Sequence, residues 1–97
     1  MLHHHVMLTL AGSATSEQRD AIIDGLRALP DEIPGLESIE VSADAGLAEG
    51  NAHVYFHMTF RDEQSWREYT SHPAHVALAQ EHIRPVLEAK TAIQQFD

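Results

Sequence analysis

Residues 2–10 read Leu-His-His-His-Val-Met-Leu-Thr-Leu, and residues 52–60 read Ala-His-Val-Tyr-Phe-His-Met-Thr-Phe. In both stretches the side chains alternate with a period of two, which is typical of β-strands with two different faces. One face is apolar and carries Leu2, Val6, Leu8, Leu10, Val54, Phe56, Met58 and Phe60. The other face is rich in imidazole and hydroxyl groups and carries His3, His5, Met7, Thr9, His53, Tyr55, His57 and Thr59.

A helix is predicted directly after the first of these strands. Thr15 and Gln18 have the spacing of a capping box, in which each side chain satisfies a backbone N–H of the first turn. Apolar residues then recur at helical spacing before Pro30, at Ile22, Ile23, Leu26 and Leu29. We therefore expect an amphipathic helix that ends at Pro30, because proline cannot continue it.

The pattern in the rest of the chain predicts two more strands, and between them a helical segment that consists of two parts. Residues 38–43 alternate like a half-exposed strand, and residues 44–51 form a polar connection. Asp62 is placed to cap a helix that breaks at 71–73, since Pro73 suits the first turn of a new helix. This second part runs toward Pro85, and residues 89–96 follow as an edge strand.

The resulting order, β-α-β-β-α-α-β, predicts an α+β fold: a ferredoxin-like sandwich with one antiparallel-type sheet, formed by residues 1–97 as a single domain. In this topology the first and third strands are neighbours in the centre of the sheet, and helices cover one sheet face. The pattern alone leaves two arrangements open. Either the apolar face or the histidine face lies under the helices.

Composition excludes several classes of function. The 97 residues include 6 Lys plus Arg against 15 Asp plus Glu, a net charge of −9. Such a surface matches neither nucleic acid nor an anionic membrane surface. The absence of cysteine excludes disulfides, thiol nucleophiles and Fe–S clusters. Because no apolar run approaches about 20 residues and no signal peptide is recognisable, we expect a cytoplasmic protein.

The eight histidines raise the question of a metal site. His3, His4 and His5 stand where a purification tag would, but the run continues directly into the strand, so we interpret it as mostly native and leave a tag origin open for His3 and His4. His3 and His5 lie about 6.6 Å apart along a strand and could share an ion. Because no cysteine or carboxylate joins them at the strand positions, we expect no metal site.

The chain resembles the stress-responsive A/B barrel (Dabb) domain family, which belongs to the dimeric α/β barrels. The resemblance rests on the opening His5-Val6 strand, Leu29-Pro-Asp-Glu-Ile-Pro-Gly-Leu36, Gly46-Leu-Ala-Glu-Gly-Asn51 and, most specifically, Tyr69-Thr-Ser-His-Pro-Ala-His75. It implies a homodimer in which two sheets pack face to face. The apolar sheet face, with Val54, Phe56, Met58 and Phe60, would then form the interface, and the histidine face would look at the helices.

The resemblance also implies a site. In plant polyketide cyclases of this family, a Tyr and a His catalyse an aldol ring closure without metal or organic cofactor. Their spacing matches Tyr69 and His75, and supporting pocket histidines correspond to His5 and His53. The implied walls of a pocket for a small apolar or carbonyl ligand are Met7, Ile22, Ile23, Leu26, Tyr55 and Leu78.

We consider three hypotheses for the function, two of them enzymes and one a binding protein. The first is a cofactor-independent cyclase or lyase acting on a polyketide-like or 1,3-dicarbonyl molecule, with His75 as base and Tyr69 as proton donor. The second is a non-catalytic small-molecule-binding or stress-response protein that uses the same pocket. The third is a cofactor-free enzyme similar to quinol monooxygenases. The sequence names neither the substrate nor the pathway.

Overall fold

A computed structural model describes all residues from Met1 to Asp97. The chain forms four strands: β1 (Leu2–Leu10), β2 (Leu36–Ala43), β3 (Val54–Phe60) and β4 (Leu87–Phe96). They pair antiparallel in one sheet, in the order β2-β3-β1-β4. The predicted ferredoxin-like α+β fold is confirmed, with β1 and β3 adjacent in the centre of the sheet.

Three α-helices lie on one side of the sheet: α1 (Ser16–Ala28), α2 (Glu63–Ser71) and α3 (Pro73–Leu78). The Thr15 capping box forms in full, and the Asp62 carboxylate accepts a hydrogen bond from the backbone N–H of Ser65. His72 separates α2 from α3 with extended backbone angles. After α3 the chain continues as a π-helical turn, Ala79–Ile83, and a 3-10 turn, Arg84–Val86. No helix has the length and apolarity needed to cross a lipid bilayer.

The apolar sheet face lies under the helices, so the implied arrangement with the histidine face there is wrong. The seven apolar side chains from Val6 to Leu10 and from Val54 to Phe60 are each at most 5% exposed within a single chain. They form one core with Ile22, Leu26 and Leu29 of the first helical segment. The physical reason is that the apolar stripe of α1 loses water only against another apolar surface. Packed on the histidine face, it would remove imidazole and hydroxyl groups from water, which costs free energy.

This packing also corrects the expected dimer interface. Val54, Phe56, Met58 and Phe60 are between 0 and 4% exposed in one chain and have no surface left for a second subunit. The opposite face, here called the outer face, is partly exposed, with Met7 at 47% and Tyr55 at 38%. Any contact between two sheets must therefore use the outer face.

Gly35 fixes the approach of β2 to α2. Its φ is +83°, and a Cβ atom at this position would lie 2.3 Å from the Ser65 hydroxyl oxygen and 2.4 Å from the Ser65 Cβ. Its carbonyl oxygen also accepts a hydrogen bond from the backbone N–H of Arg61. Gly46 has a similar φ of +76°, but open space surrounds the position where its Cβ would stand.

This pair of glycines allows backbone strain to be separated from steric overlap. Gly46→Ala should lower the free energy of unfolding by about 1 kcal/mol, because only the left-handed backbone conformation is penalised. Gly35→Ala should lower it by about 2–4 kcal/mol, because the overlap with Ser65 adds to the same penalty. Urea unfolding followed by circular dichroism measures both. Equal losses in the two variants would contradict the close packing described at Gly35.

Candidate functional site

A cavity of about 320 Å³ lies between the covered face of the sheet and the helical segment from α2 to the 3-10 turn before β4. This volume is at the lower end of the range for small-molecule pockets. Its walls are largely apolar, with Val6, Leu8 and Phe56 from the central strands. The polar side chains that line it are His4, Trp66, Tyr69, Thr70, His75, Arg84, Lys90 and Gln94.

Tyr69 and His75 meet in this cavity. The break at His72 and Pro73 lets the chain turn between α2 and α3, and the two ring centroids come within 4.2 Å of each other. The His75 Nδ1 donates a hydrogen bond to the Thr70 carbonyl oxygen at 3.2 Å. Because a carbonyl oxygen only accepts, the proton of the neutral ring is on Nδ1. The Nε2 atom therefore keeps its lone pair and can act as a base.

The third ring in the cavity belongs to His4, which is 8% exposed. The Gln94 side-chain amide donates a hydrogen bond to His4 Nδ1 at 2.8 Å, so the proton of the neutral ring is on Nε2. The His4 ring centroid lies 6.1 Å from those of both Trp66 and Tyr69. His4 thus adds a second hydrogen-bond donor beside the phenol.

Burial determines the charge of these groups. It lowers the pKa of His4 to about 4, and the positive charge of Lys90 adds to this effect. Burial is also the main cause that lowers the pKa of His75, although its hydrogen bond to Thr70 acts in the opposite direction. The pKa of the Tyr69 phenol is raised by burial alone. At neutral pH the cavity therefore holds two neutral imidazoles and a protonated phenol. His75 can accept a proton, whereas His4 and Tyr69 can donate hydrogen bonds.

His5 and His53 do not join Tyr69 and His75, contrary to the arrangement that the resemblance implied. His5 lies on the outer face, where it accepts a hydrogen bond from the Tyr55 hydroxyl at 3.0 Å and donates one to Gln95 at 2.8 Å. His53 is exposed and accepts a hydrogen bond from the backbone N–H of Leu10. For His5 the reason is strand alternation: residues of odd number in β1 point away from the side that the helices cover.

Of the six pocket-wall residues that the resemblance implied, only Leu26 lines the cavity. Met7 and Tyr55 lie on the outer face and are partly exposed. The other three, Ile22, Ile23 and Leu78, are at most 7% exposed and belong to the hydrophobic core beside the cavity. Helices α1 and α3 approach each other closely at Leu78, where a Cβ atom on Gly25 would lie 2.4 Å from the Leu78 Cδ1.

Sequence reasoning missed His4, although a signal was present. His4 has the same parity as Leu2 and Val6, so alternation alone places it on the apolar face. The lining residues Arg84, Lys90 and Gln94 had no comparable signal. Arg84 lies in the turn before the last strand, and the last strand has no clear alternation of apolar and polar residues.

On the outer face, His57 stacks on His5 with a centroid distance of 4.4 Å and forms a hydrogen bond with His3 at 2.8 Å. No group of three or more His, Asp or Glu side chains has a metal-binding arrangement.

The sheet, its single layer of helices and the cavity between them define a ferredoxin-like protein of the kind found in dimeric α/β barrels. The family model described as the stress responsive A/B barrel domain (Dabb) matches residues 2–97. The chain belongs to this family.

Solved structures share the fold over nearly the whole chain. A dimeric ferredoxin-like protein of unknown function from Thermobifida fusca is 31% identical, with a TM-score of 0.86 over 97% of this chain and 88% of that chain. A Dabb family protein from Mesorhizobium loti is 23% identical, with a TM-score of 0.80 over 99% and 95% of the two chains. A hydroxynitrile lyase from Passiflora edulis is 17% identical, with a TM-score of 0.83 over 97% and 90%. No match was found among the curated proteins.

Burial of His4 predicts a loss of stability in acid. The folded chain holds this pKa near 4 against an ordinary value of 6.5, so between these pH values only the unfolded chain takes up the proton. The free energy of unfolding should therefore fall as the pH is lowered from 6.5, by about 3 kcal/mol at pH 4. Urea unfolding at pH 7, 5.5 and 4.5 should show a weaker pH dependence for His4→Leu.

His82→Leu is the matched control, because His82 is exposed and does not line this cavity. It should keep the pH dependence of the unsubstituted protein. If His4→Leu and the unsubstituted protein lose stability in parallel on acidification, His4 is not held neutral in the folded state.

Proposed function

We propose that this protein is a cofactor-independent cyclase or lyase that acts on a small 1,3-dicarbonyl or polyketide-like molecule. The observation that carries the proposal is the pairing of Tyr69 with His75 inside a largely apolar cavity. The ring of His75 is oriented through its Nδ1, and Nε2 is left as the base. An imidazole with this pKa is mostly unprotonated at neutral pH and can accept a proton from carbon.

An aldol ring closure uses these groups in sequence. His75 Nε2 takes a proton from a carbon next to a carbonyl, and the resulting enolate is stabilised by hydrogen bonds from the Tyr69 hydroxyl and His4 Nε2. The enolate carbon attacks a second carbonyl of the same molecule and forms a C–C bond. The new alkoxide takes back the proton held by His75. Loss of water then completes the ring, so that substrate equals product plus water.

Two further considerations support this chemistry. The raised pKa of Tyr69 keeps its hydroxyl protonated throughout the physiological range, as a donor to an oxyanion requires. The fold is also shared with a hydroxynitrile lyase, so it accommodates lyase chemistry. In this proposal His4 takes the supporting role that the resemblance gave to His5 and His53.

Cyclisation of heptane-2,4,6-trione to orcinol and water, followed by chromatography, tests the proposal. Tyr69→Phe and His75→Ala should each lower kcat/KM by about 10²–10³-fold, because each removes one group that acts in the transition state. The rate should rise with pH through a value below 6.5, where His75 loses its proton, and stay level at pH 7–9 because Tyr69 remains protonated.

His82→Ala serves as the control, since this exposed histidine lies outside the cavity. It should retain full activity, and circular dichroism should show all three variants folded. Binding of the trione without turnover in the unsubstituted protein would overturn the proposed reaction and favour the ligand-binding function instead.

We also propose that two copies associate through the outer face. The related protein from Thermobifida fusca, at 31% identity, is described as dimeric, and the apolar face of this chain is occupied by its own helices. The outer face presents Met7, Tyr55 and Ile93 to solvent, with 47%, 38% and 60% of each residue exposed. Exposed apolar groups on one face of a sheet are typical of an interface.

Met7→Asp should weaken this association by at least about 100-fold, because it places an unpaired carboxylate at the centre of two apposed sheets. The single chain should remain folded, since Met7 is outside its core. Analytical ultracentrifugation measures the dissociation constant. Leu47→Asp is the control, because Leu47 is 90% exposed in the loop between β2 and β3 and away from the sheet. Equal effects of the two substitutions would argue against the outer face.

A further inference from the structure

The basic side chains of this acidic protein fall into two groups. Four of the six have a partner within the chain, either a carboxylate or a backbone carbonyl. These are Arg19 with Asp20, Arg61 with Asp62, Arg67 with Glu63, and Arg27 with the carbonyl of Val41. Arg84 and Lys90 form neither an ion pair nor a hydrogen bond through their side chains.

Both unpartnered cations line the cavity that holds Tyr69 and His75. Both are also exposed, which places them where the cavity meets solvent. The chain has 15 Asp plus Glu, yet none of them lines this cavity. The cavity is therefore a local region of positive charge on a protein whose net charge is −9.

The cavity lining also includes a hydrogen-bond donor without a partner. Trp66 lines the cavity, and its Nε1 is the one buried side-chain nitrogen or oxygen without a hydrogen-bond partner. A buried N–H of this kind is costly unless a ligand or water accepts from it. With Tyr69 and His4 it makes a set of donors that suits the oxygens of a carbonyl compound.

We propose that the cavity binds an anionic ligand, a dicarbonyl compound that carries a carboxylate, with the carboxylate held between Lys90 and Arg84 at the cavity mouth. The carbonyl groups then extend inward to Trp66, Tyr69 and His75. The carbonyl end rests on the proposed function, whereas the carboxylate end rests on the two unpartnered cations. Attraction between Lys90, Arg84 and the ligand also selects acidic molecules over neutral ones of the same shape.

The matched probes are 4,6-dioxoheptanoate, which is a 1,3-diketone with a carboxylate, and its neutral methyl ester. Calorimetry at low salt should show the acid binding at least about tenfold more tightly than the ester. Lys90→Gln and Arg84→Gln should each reduce this preference about three- to tenfold and leave the affinity for the ester unchanged. Trp66→Phe should weaken both ligands by the same factor.

Arg19→Gln is the control, because Arg19 is on α1 and outside the cavity. It should leave both affinities unchanged. Equal binding of acid and ester, or an equal effect of Arg19→Gln and Lys90→Gln, would overturn this inference. The outcome is independent of catalysis: turnover of heptane-2,4,6-trione without a preference for the acid overturns only the carboxylate site. A preference for the acid without turnover overturns only the proposed reaction.

Discussion

The packing of the apolar stripe of α1 against the apolar face of β1 and β3 is the contact on which the rest of the structure depends. It forms most of the core of a 97-residue chain, and a domain of this size has little excess stability. Once Leu26 and Leu29 are buried against this face, strand alternation determines the direction of every other side chain in the central strands. His4 must then lie inside, and His3, His5 and His57 must lie on the opposite face.

Much of the fold could be predicted from local patterns, because each depends on nearby residues. The capping box at Thr15, the break before Pro73 and the alternation in residues 2–10 all act within one element. Alternation alone could not predict which face the helices cover, because it distinguishes two faces of a strand but does not show what packs against each. The resemblance implied that the helices cover the histidine face, which is wrong, although the apolar stripe of α1 already favoured an apolar partner. Burial of this stripe against the apolar sheet face is the interaction that determines which face the helices cover.

The candidate site could be predicted in part for the same reason. Tyr69 and His75 lie on one helical segment, so their spacing carried the information needed to place them together. The resemblance implied His5, whereas His4 lines the cavity. In a strand, a difference of one residue moves a side chain to the opposite face. Lys90 and Gln94 reach the cavity only through the pairing of β4 with β1, a contact between the two ends of the chain that no local pattern contains.

The last strand, β4, contributes side chains to both the cavity and the outer face, so its register determines both. Lys90, Ala92 and Gln94 line the cavity, whereas Ile93 and Gln95 contribute to the outer face beside His5. The register that pairs His4 with Gln94 also pairs His5 with Ile93. A shift of one residue would turn Lys90 and Gln94 away from the cavity and place Ile93 inside it. The hydrogen bond from Gln94 to His4 stabilises this register and orients His4 at the same time, so one contact serves both the pairing of β4 with β1 and the arrangement of side chains in the cavity.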